Sequence, residues 1–412
     1  MIGWSDTELA IQEAIREFAD KEIRPYADAL EDGEMLPYPI IRKLFSTFGV
    51  DAMALDNFKQ TMEKERAAAA GDAPVEKPKS LTAGANNEAM TLILSMELCK
   101  VNMGLTSAMG VSVGLSAGTI MSRGTIEQKE RWVPDLLTFD KVGAWAITEP
   151  NSGSDAFGGM TTTVRRQGDG YVLNGEKTFI TNGPYADTTV VYAKLDDGSG
   201  VDKRKRPVLT FVLDAGMPGF TQSKPLKKMG IHASPTGQLF FSDVYLEPDR
   251  LLGDPSGAAA QDGRESARAN FVTERVGIAA MSLGVIEECL RLCVDYAKKR
   301  ELWGQRIGDF QLIQLKLANM EVARLNVEGM VFRALELRRA GKSPTLAEAS
   351  AMKYYASQAA TEVAMEAVQL FGGNGYMSEY RVEQLARDAK SLMIYAGSNE
   401  VQITHIAKDL LA

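Results

Sequence analysis

The side chains that could carry out acid–base chemistry are distributed unevenly in this sequence. Its 412 residues include only two histidines, His232 and His405, against 54 aspartates and glutamates. Two histidines leave almost no material for a Ser-His-Asp triad or a multi-histidine metal site. The three cysteines lack a CxxC spacing, so we expect no metal cluster and a reducing compartment. In an enzyme of this composition, acid–base chemistry would come from carboxylates or from a cofactor.

Three glycine-containing segments have compositions suited to binding a flat or anionic ligand. Residues 145–155 end a predicted strand and enter a Gly/Ser turn, whose N–H groups and hydroxyls could face an anion or a polar ring edge. Residues 174–183 could form one wall of a flat cofactor site, although Phe179 there could equally be a core residue. Residues 369–376 hold three glycines after a helix, whereas a C-cap needs only one.

The overall charge excludes some classes of protein. A net charge of −8 argues against a nucleic-acid binder. The basic run at 203–206 is interpreted as a solvated loop between strands, with a polyanion site as the alternative. No window of about 18 residues is continuously apolar, so no membrane span is predicted. The first residues lack a signal or transit pattern, which predicts a cytoplasmic protein if bacterial, or a mature mitochondrial-matrix chain if eukaryotic.

The supporting elements begin with helices. Ser5 and Glu8 fit a capping box, and the helical apolar period that follows ends at Pro25. A second helix is predicted over 39–48. From 87 to 121 the pattern is again helical and rich in small residues, which permit close approach of a neighbouring helix or a ligand.

Residues 56–88 differ in composition from their surroundings. Charged residues at 63–66 and four alanines are followed by Pro74, Pro78 and several glycines. We predict a surface insertion with at most one exposed helical turn. A lid or docking loop is the functional alternative.

The pattern changes near Val142. From there to Leu252, alternating or β-branched runs are separated by turns, and Gly-Asp-Gly at 168–170 is a hairpin signal. After Glu265 the sequence returns to long amphipathic helices. The predicted fold class is mainly α with a central antiparallel β domain. The predicted domains are an N-terminal helical domain (1–140), a β domain (141–255) and a C-terminal helical bundle (256–412).

In this order and spacing, the segments resemble the acyl-CoA dehydrogenase family, whose signature TEP-x-x-GSD matches residues 148–155. Further matching motifs are GTIEQK at 124–129, KMGI at 228–231, RELWG at 300–304, RDAK at 387–390 and IYAGSNE at 394–400. The resemblance covers nearly the whole chain, and so many ordered motifs make it highly specific. It implies an α, β-barrel or sandwich, α-bundle fold and a homotetramer or homodimer with one FAD per subunit.

The resemblance also assigns two groups of residues to FAD. The first group contains the flavin-side residues and the remaining cofactor contacts: Ile147, Thr148, Ser154, Phe179, Ile180, Thr181, Ser398, Asn399 and Glu400. The groups that would reach FAD across a subunit interface are Arg300, Trp303, Gln311, Gln369, Leu370, Phe371, Gly372 and Gly373. Each FAD would therefore contact two subunits.

The position of the catalytic base distinguishes branches of this family. The commonest base is a glutamate directly before the glycine of the C-terminal motif, where this chain has Ala396. A sub-branch that includes isovaleryl- and long-chain-type enzymes carries the base on an earlier helix, beside an arginine. This chain has Glu274 and Arg275 there, so the resemblance assigns the catalytic role to Glu274. The implied substrate-binding residues are Ser154, Phe271, Arg275, Ala396 and Gly397.

Glu274 has a second interpretation. In isolation it is a carboxylate at a helix start, favoured by the helix dipole and paired with a basic residue one turn on. Two facts taken together favour catalysis: the usual base position holds alanine, and the alternative position holds glutamate.

Two family patterns are absent from the chain. The proline-acid-tyrosine-glycine-glycine segment before the third helix is replaced by residues 56–88. The acidic residue often found three positions before the arginine is Val272. We therefore expect a different pocket mouth and different contacts to the nucleotide end of CoA.

The implied reaction is dehydrogenation of a saturated acyl-CoA to a trans-2-enoyl-CoA. Glu274 would remove the α-proton and the β-hydrogen would leave as hydride to flavin N5. The Glu274 N–H and a ribityl hydroxyl of FAD would stabilise the thioester oxygen. Exclusion of water is expected to raise the pKa of Glu274 toward the working range. Electrons would pass to an electron-transfer flavoprotein. Ala396 and the small residues of 104–118 suggest a branched, cyclic or long acyl chain.

Two other functions stay open at this stage. One is a flavin-dependent oxidase or monooxygenase on the same fold, which rapid aerobic reoxidation with peroxide release would support. The other is a non-catalytic scaffold that docks through residues 56–88, which a protein purified without flavin would support.

Overall fold

The computed structural model describes residues 3–71, 85–253 and 263–412. A helical domain, a β-sheet and a helical bundle follow one another, which confirms the predicted fold class. The predicted boundary at 255/256 lies outside the described residues.

Capping residues set the limits of several N-terminal helices. Ser5 and Glu8 form the predicted capping box, and a second box of Thr125 and Gln128 begins the last helix. A π-helical segment, Gly110–Ala117, interrupts the small-residue stretch. The α-helices are α1 (Asp6–Phe18), α2 (Ala27–Glu31), α3 (Tyr38–Phe48), α4 (Val50–Ala69), α5 (Ala85–Val101), α6 (Met103–Met109), α7 (Gly118–Arg123) and α8 (Ile126–Leu137).

The predicted surface insertion over 56–88 is wrong for its first part, because residues 56–69 continue α4 as regular helix. Phe58 and Met62 lie one turn apart and are buried against the core that contains Trp132 of α8. Glu65 also accepts a hydrogen bond from Lys129 of α8 at 2.6 Å. At its other end, residues 85–88 already belong to the next helix, α5, and residues 72–84 lie outside the described residues.

The strands of the β domain are β1 (Gly143–Ala146), β2 (Thr163–Gln167), β3 (Gly170–Thr181), β4 (Thr188–Leu195), β5 (Val208–Asp214), β6 (Phe220–Gln222) and β7 (Thr236–Leu246). They form a seven-stranded sheet in which β5 pairs with β4. Most neighbouring strands are antiparallel, as predicted, but β1 and β2 both pair with β4 in parallel. The predicted hairpin is confirmed, with Gln167 opposite Gly170.

Long helices complete the chain. Glycine brings two of the helices close together. A Cβ added to Gly284, in the helix Gly263–Lys299, would lie 2.2 Å from the Met96 carbonyl oxygen of α5. Only glycine therefore permits this contact between the two helical domains. The elements are α9 (Gly263–Lys299), β8 (Glu301–Leu302), β9 (Gln305–Arg306), α10 (Gln311–Arg339), α11 (Leu346–Phe371), α12 (Val382–Leu392) and α13 (Asn399–Leu410).

One stretch of the described residues, Met103–Arg123, is long and apolar enough to cross a membrane by length and composition alone, although no membrane span was predicted. Of its most apolar window, 61% is buried inside the protein, which is typical of a core helix.

Candidate active site

Glu274 lies about three turns into α9, which begins at Gly263, so its interpretation as a helix-start carboxylate is wrong. The side chain is partly exposed, yet the surrounding protein desolvates its carboxyl and raises the pKa of Glu274 to about 7. The opposing charges of Arg275 and Lys353 limit this rise. A carboxyl with this pKa can accept a proton near neutral pH.

Arg275 adjoins the base and is only 2% exposed. Its Nη1 donates to Ser350 Oγ of α11 at 3.0 Å, and its guanidinium carbon lies 5.4 Å from the centre of the Phe271 ring. Its Nε is buried and finds no hydrogen-bond partner among the described residues. Burial lowers the pKa of Arg275, and the Glu274 charge opposes this effect. The guanidinium is therefore held in place beside the base by Ser350 and the Phe271 ring.

The loop between α12 and α13 forms a tight turn beside these residues. Ala396 and Gly397 both have positive φ, at 56° and 81°. A Cβ added to Gly397 would lie 3.7 Å from Arg275 Nη2, so the turn packs against the arginine. Gln402 Nε2 donates to the Ala396 and Gly397 carbonyl oxygens at 3.2 and 2.7 Å. We call residues 396 and 397 the 396–397 turn.

Lys353 is fully buried on α11 and is not among the residues predicted from the sequence. Its Nζ donates to the Gly397 carbonyl oxygen at 3.0 Å and to Asn399 Oδ1 at 2.8 Å. A signal was present, because Lys353 interrupts the apolar face formed by Ala349, Met352 and Ala356. A lysine in that position predicts a buried partner.

A buried ion pair holds the loop after β1 against β3. Lys177 Nζ lies 2.9 Å from Glu149 Oε1 and donates to the Ile147 carbonyl oxygen at the same distance. The Glu149 carboxylate also accepts hydrogen bonds from the backbone of Thr161 and Thr162 at 2.6 and 2.9 Å. Desolvation opposes ionisation of Glu149, but Lys177 and these donors outweigh it and lower the pKa of Glu149 to about 2. The sequence motifs contain both residues but do not predict that they pair.

This pair fixes the two predicted flavin-side segments next to one another. Thr178 N–H donates to the Thr148 carbonyl oxygen at 2.9 Å. The register of β3 with β7 shifts between Lys177 and Ile180, and there Phe179 has φ 58° and is 67% exposed. A bulge re-aims side chains in this way, so the interpretation of Phe179 as core is wrong. Ile180 is 2% exposed, so its side chain belongs to the core.

The other predicted FAD residues lie at the opposite end of the bundle. Arg300 follows the end of α9, so roughly 39 Å of helix separate it from Glu274 at 1.5 Å per residue. Trp303 is 88% exposed at the tip of the β8–β9 hairpin. Phe371 stacks on Tyr296 near the same end, with ring centres 4.0 Å apart. Within a single chain, the predicted flavin-side residues and the residues predicted to reach FAD across an interface are therefore far apart.

Both groups have features that fit FAD. Gly372 and Gly373 are exposed, and an added Cβ would meet nothing within 4 Å, which leaves their backbone open to close approach. Thr148, Thr181 and Ser398 are partly exposed and Ser154 is exposed, so their hydroxyls are accessible. Asn399 Nδ2 is buried without a partner among the described residues, whereas Leu370 and Phe371 are buried and offer mainly backbone.

A surface cavity of about 650 Å³ lies away from these residues. It is lined mainly by charged side chains of α1, α5 and α9, such as Arg16, Glu97 and Glu288, which pair with one another or with neighbours. This cavity is therefore not part of the candidate site.

Known protein families and individual proteins are similar to this chain along most of its length. Models of the acyl-CoA dehydrogenase N-terminal, middle and C-terminal domains match residues 60–140, 144–244 and 261–411. The chain is 34% identical over 405 residues to an acyl-CoA dehydrogenase of Bacillus subtilis (strain 168), with 98% of each covered. It is 33% identical over 412 residues to the caffeyl-CoA reductase-Etf complex subunit CarC of Acetobacterium woodii, with 99% of each covered.

A solved structure gives the same result in three dimensions. Butyryl-CoA dehydrogenase from Megasphaera elsdenii superposes with a TM-score of 0.82 at 32% identity, covering 100% of this chain and 99% of that one. Members of this group of enzymes are FAD-dependent. With matched models over most of the sequence and relatives above 30% identity along its length, the chain belongs to the acyl-CoA dehydrogenase family.

Proposed function

We propose that this chain catalyses the FAD-dependent α,β-dehydrogenation of a saturated acyl-CoA to a 2-enoyl-CoA. The observation that carries the proposal is Glu274, whose pKa is raised to about 7 beside Arg275, while Ala396 occupies the usual position of the base. FAD, when bound, supplies the acceptor for the hydride that leaves the β-carbon. The substrate thus loses one proton and one hydride, and a carbon–carbon double bond forms.

The residues of this chain supply the base and its surroundings. The Glu274 carboxylate takes the α-proton, and the positive charges of Arg275 and Lys353 favour its ionised form. The Arg275 guanidinium is held beside this carboxylate by its hydrogen bond to Ser350. A bound acyl chain excludes water from the carboxylate, which strengthens these electrostatic interactions.

The test is anaerobic mixing of the purified protein with saturated acyl-CoAs while the absorbance of oxidised flavin is followed. Bleaching by an acyl-CoA is the expected result. A flavin that none of them bleaches would contradict dehydrogenation and favour the scaffold function. A panel of butyryl-, isovaleryl- and palmitoyl-CoA addresses the acyl group, because the base position suggests the isovaleryl- and long-chain-type sub-branch and one solved relative is a butyryl-CoA dehydrogenase.

We also infer an electron-transfer flavoprotein as the acceptor, because one relative is named as part of a complex with an Etf. Reoxidation of the reduced protein by such a flavoprotein, and slow reoxidation in air, would support this acceptor. Rapid reoxidation in air with release of peroxide would indicate an oxidase instead. The predicted compartment, the bacterial cytoplasm or the mitochondrial matrix, stays a prediction.

The rate of flavin reduction is expected to rise with pH through about 7. Glu274 must be ionised to act as a base, and its pKa is raised to about 7, so the protonated and inactive form predominates below that pH. Well below the midpoint, the single-turnover rate should fall about tenfold per pH unit. Stopped-flow reduction at saturating acyl-CoA across this range measures the profile. A rate independent of pH between about 5.5 and 8 would exclude Glu274 as the base.

We infer that the chain forms a homodimer or homotetramer through α10. An exposed apolar stripe runs along this helix, with Leu315 56%, Val322 56% and Leu325 50% exposed. The 315–322 spacing of seven residues matches a helix–helix seam. An interface there would bring a second copy close to the residues at the far end of the bundle and complete the FAD site.

Leu315→Glu combined with Leu325→Glu is expected to dissociate the oligomer and to reduce the bound FAD. Charges placed in an apolar interface are left desolvated and unpaired, which strongly disfavours association. Light scattering gives the mass and flavin absorbance gives the FAD content. Leu9→Glu is the matched control, since Leu9 on α1 is also 49% exposed but lies outside the stripe. Unchanged mass and FAD content in the double variant would contradict an α10 interface.

A further inference from the structure

Lys353 carries a buried charge on α11. Among the described residues, no carboxylate lies within 4.0 Å of its ammonium, and its partners are the Gly397 carbonyl oxygen and Asn399 Oδ1. Burying an ammonium in this way is costly, whereas a methionine would fill the same space at little cost. The cost indicates that the charge has a role at this place.

The charges that face this ammonium come from several elements. Arg275 and Glu274 lie on α9, and Glu400 lies in the first turn of α13. Tyr395, which precedes the 396–397 turn, also lies within electrostatic reach of Glu274. Burial lowers the pKa of Lys353 to about 8; Arg275 lowers it as well, whereas Glu274 and Glu400 oppose this. The lysine is therefore electrostatically coupled to the base.

The turn that Lys353 holds is strained. Ala396 has a φ of 56°, a conformation that non-glycine residues rarely adopt and that the surrounding structure must stabilise. Two side chains donate to the Gly397 carbonyl oxygen: the charged Lys353 and the neutral Gln402. These two residues allow the effect of the charge to be separated from the effect of the hydrogen bond.

We propose that Lys353 is a positioning residue for the dehydrogenation. It fixes the 396–397 turn beside Arg275, and its positive charge favours the ionised form of Glu274. The inference rests on the proposed function, in which Glu274 is the base. It adds a residue that acts through the turn and the base without contacting the substrate.

The experiment compares Lys353→Met, Lys353→Gln, Lys353→Arg and Gln402→Leu in the FAD-loaded protein. The pH midpoint of the flavin reduction rate should move up by about one unit in the Met and Gln variants, because one nearby positive charge is lost. At pH 7 their rates should fall about fivefold, approaching tenfold at lower pH. The Arg variant keeps the charge and should restore the midpoint. Gln402→Leu loosens the same turn and should lower the melting temperature while keeping the wild-type midpoint.

A second readout does not depend on turnover. The infrared carboxyl band of Glu274, identified by its loss in Glu274→Gln, should titrate at higher pH in Lys353→Gln than in the wild type. An unchanged midpoint in Lys353→Gln, or an equal shift in Gln402→Leu, would overturn the proposal. If the Met variant fails to fold, Lys353→Gln still tests the proposal, since glutamine keeps a hydrogen-bond donor for the turn. Failure of the proposed function would show separately, as wild-type flavin that no acyl-CoA reduces.

Discussion

Glu274→Gln is expected to bind FAD as the wild type does and to reduce it about 10²–10⁴-fold more slowly with a saturated acyl-CoA. Glutamine has nearly the shape of glutamate but cannot accept the α-proton. It also leaves Arg275 and Lys353 in place, so the fold should change little. Single-turnover reduction under anaerobic conditions measures the loss, and the flavin spectrum reports cofactor content before mixing.

Asp295→Asn is the matched control for this change. Asp295 is also an acid on α9, but its side chain is 52% exposed and pairs with Arg291 3.3 Å away. Its neutralisation should leave the reduction rate within about twofold, since exposed ion pairs contribute little. Reduction of Glu274→Gln at nearly the wild-type rate would mean that another group removes the proton.

Lys177→Met is expected to lower the free energy of unfolding by about 3–5 kcal/mol, because it leaves Glu149 buried without its counter-ion. The loop that carries Ile147 and Thr148 would lose its tie to β3, so FAD content should fall as well. Urea unfolding followed by circular dichroism gives the free energy. Lys141→Met, which removes an exposed pair with Asp135, should cost under about 1 kcal/mol.

The double variant Lys177→Met with Glu149→Gln tests the cause of this loss. Removing both charges should recover part of the stability, since no unpaired ion remains buried. The pair also predicts an acid limit: the pKa of Glu149 is lowered from 4.5 to about 2, so its contribution is complete above about pH 4.5 and is lost as pH falls toward 2. A double variant no more stable than Lys177→Met would show that the lost tie to Ile147 dominates.

Local motifs supplied most of the predicted site residues. Residues 148–155 and 300–304 are short contiguous motifs, so the types and spacing of their residues are enough to identify them in the sequence. The absence of glutamate at Ala396 and the presence of Glu274 together indicated the base, and the raised pKa of Glu274 agrees with that assignment. The order of helical and β segments was also readable, because the apolar period changes near Val142.

Composition misled where helix and loop share the same residues. Residues 56–69 contain many charges and alanines, which suit an exposed helix as well as an irregular surface segment. Their helix is decided by Phe58 and Met62, which pack on α8. The direction of strand pairing was likewise unreadable, because an alternating pattern is the same in parallel and antiparallel strands.

By itself, the sequence determined the family, the order of the segments and the candidate base, since each depends on residue types at short spacing. Only the tertiary structure decided which buried charges meet. Lys353 is 44 residues from Gly397, and Lys177 is 28 residues from Glu149. The physical reason is that desolvation and Coulomb energy depend on distances in space, which packing between distant segments sets and local periodicity does not report.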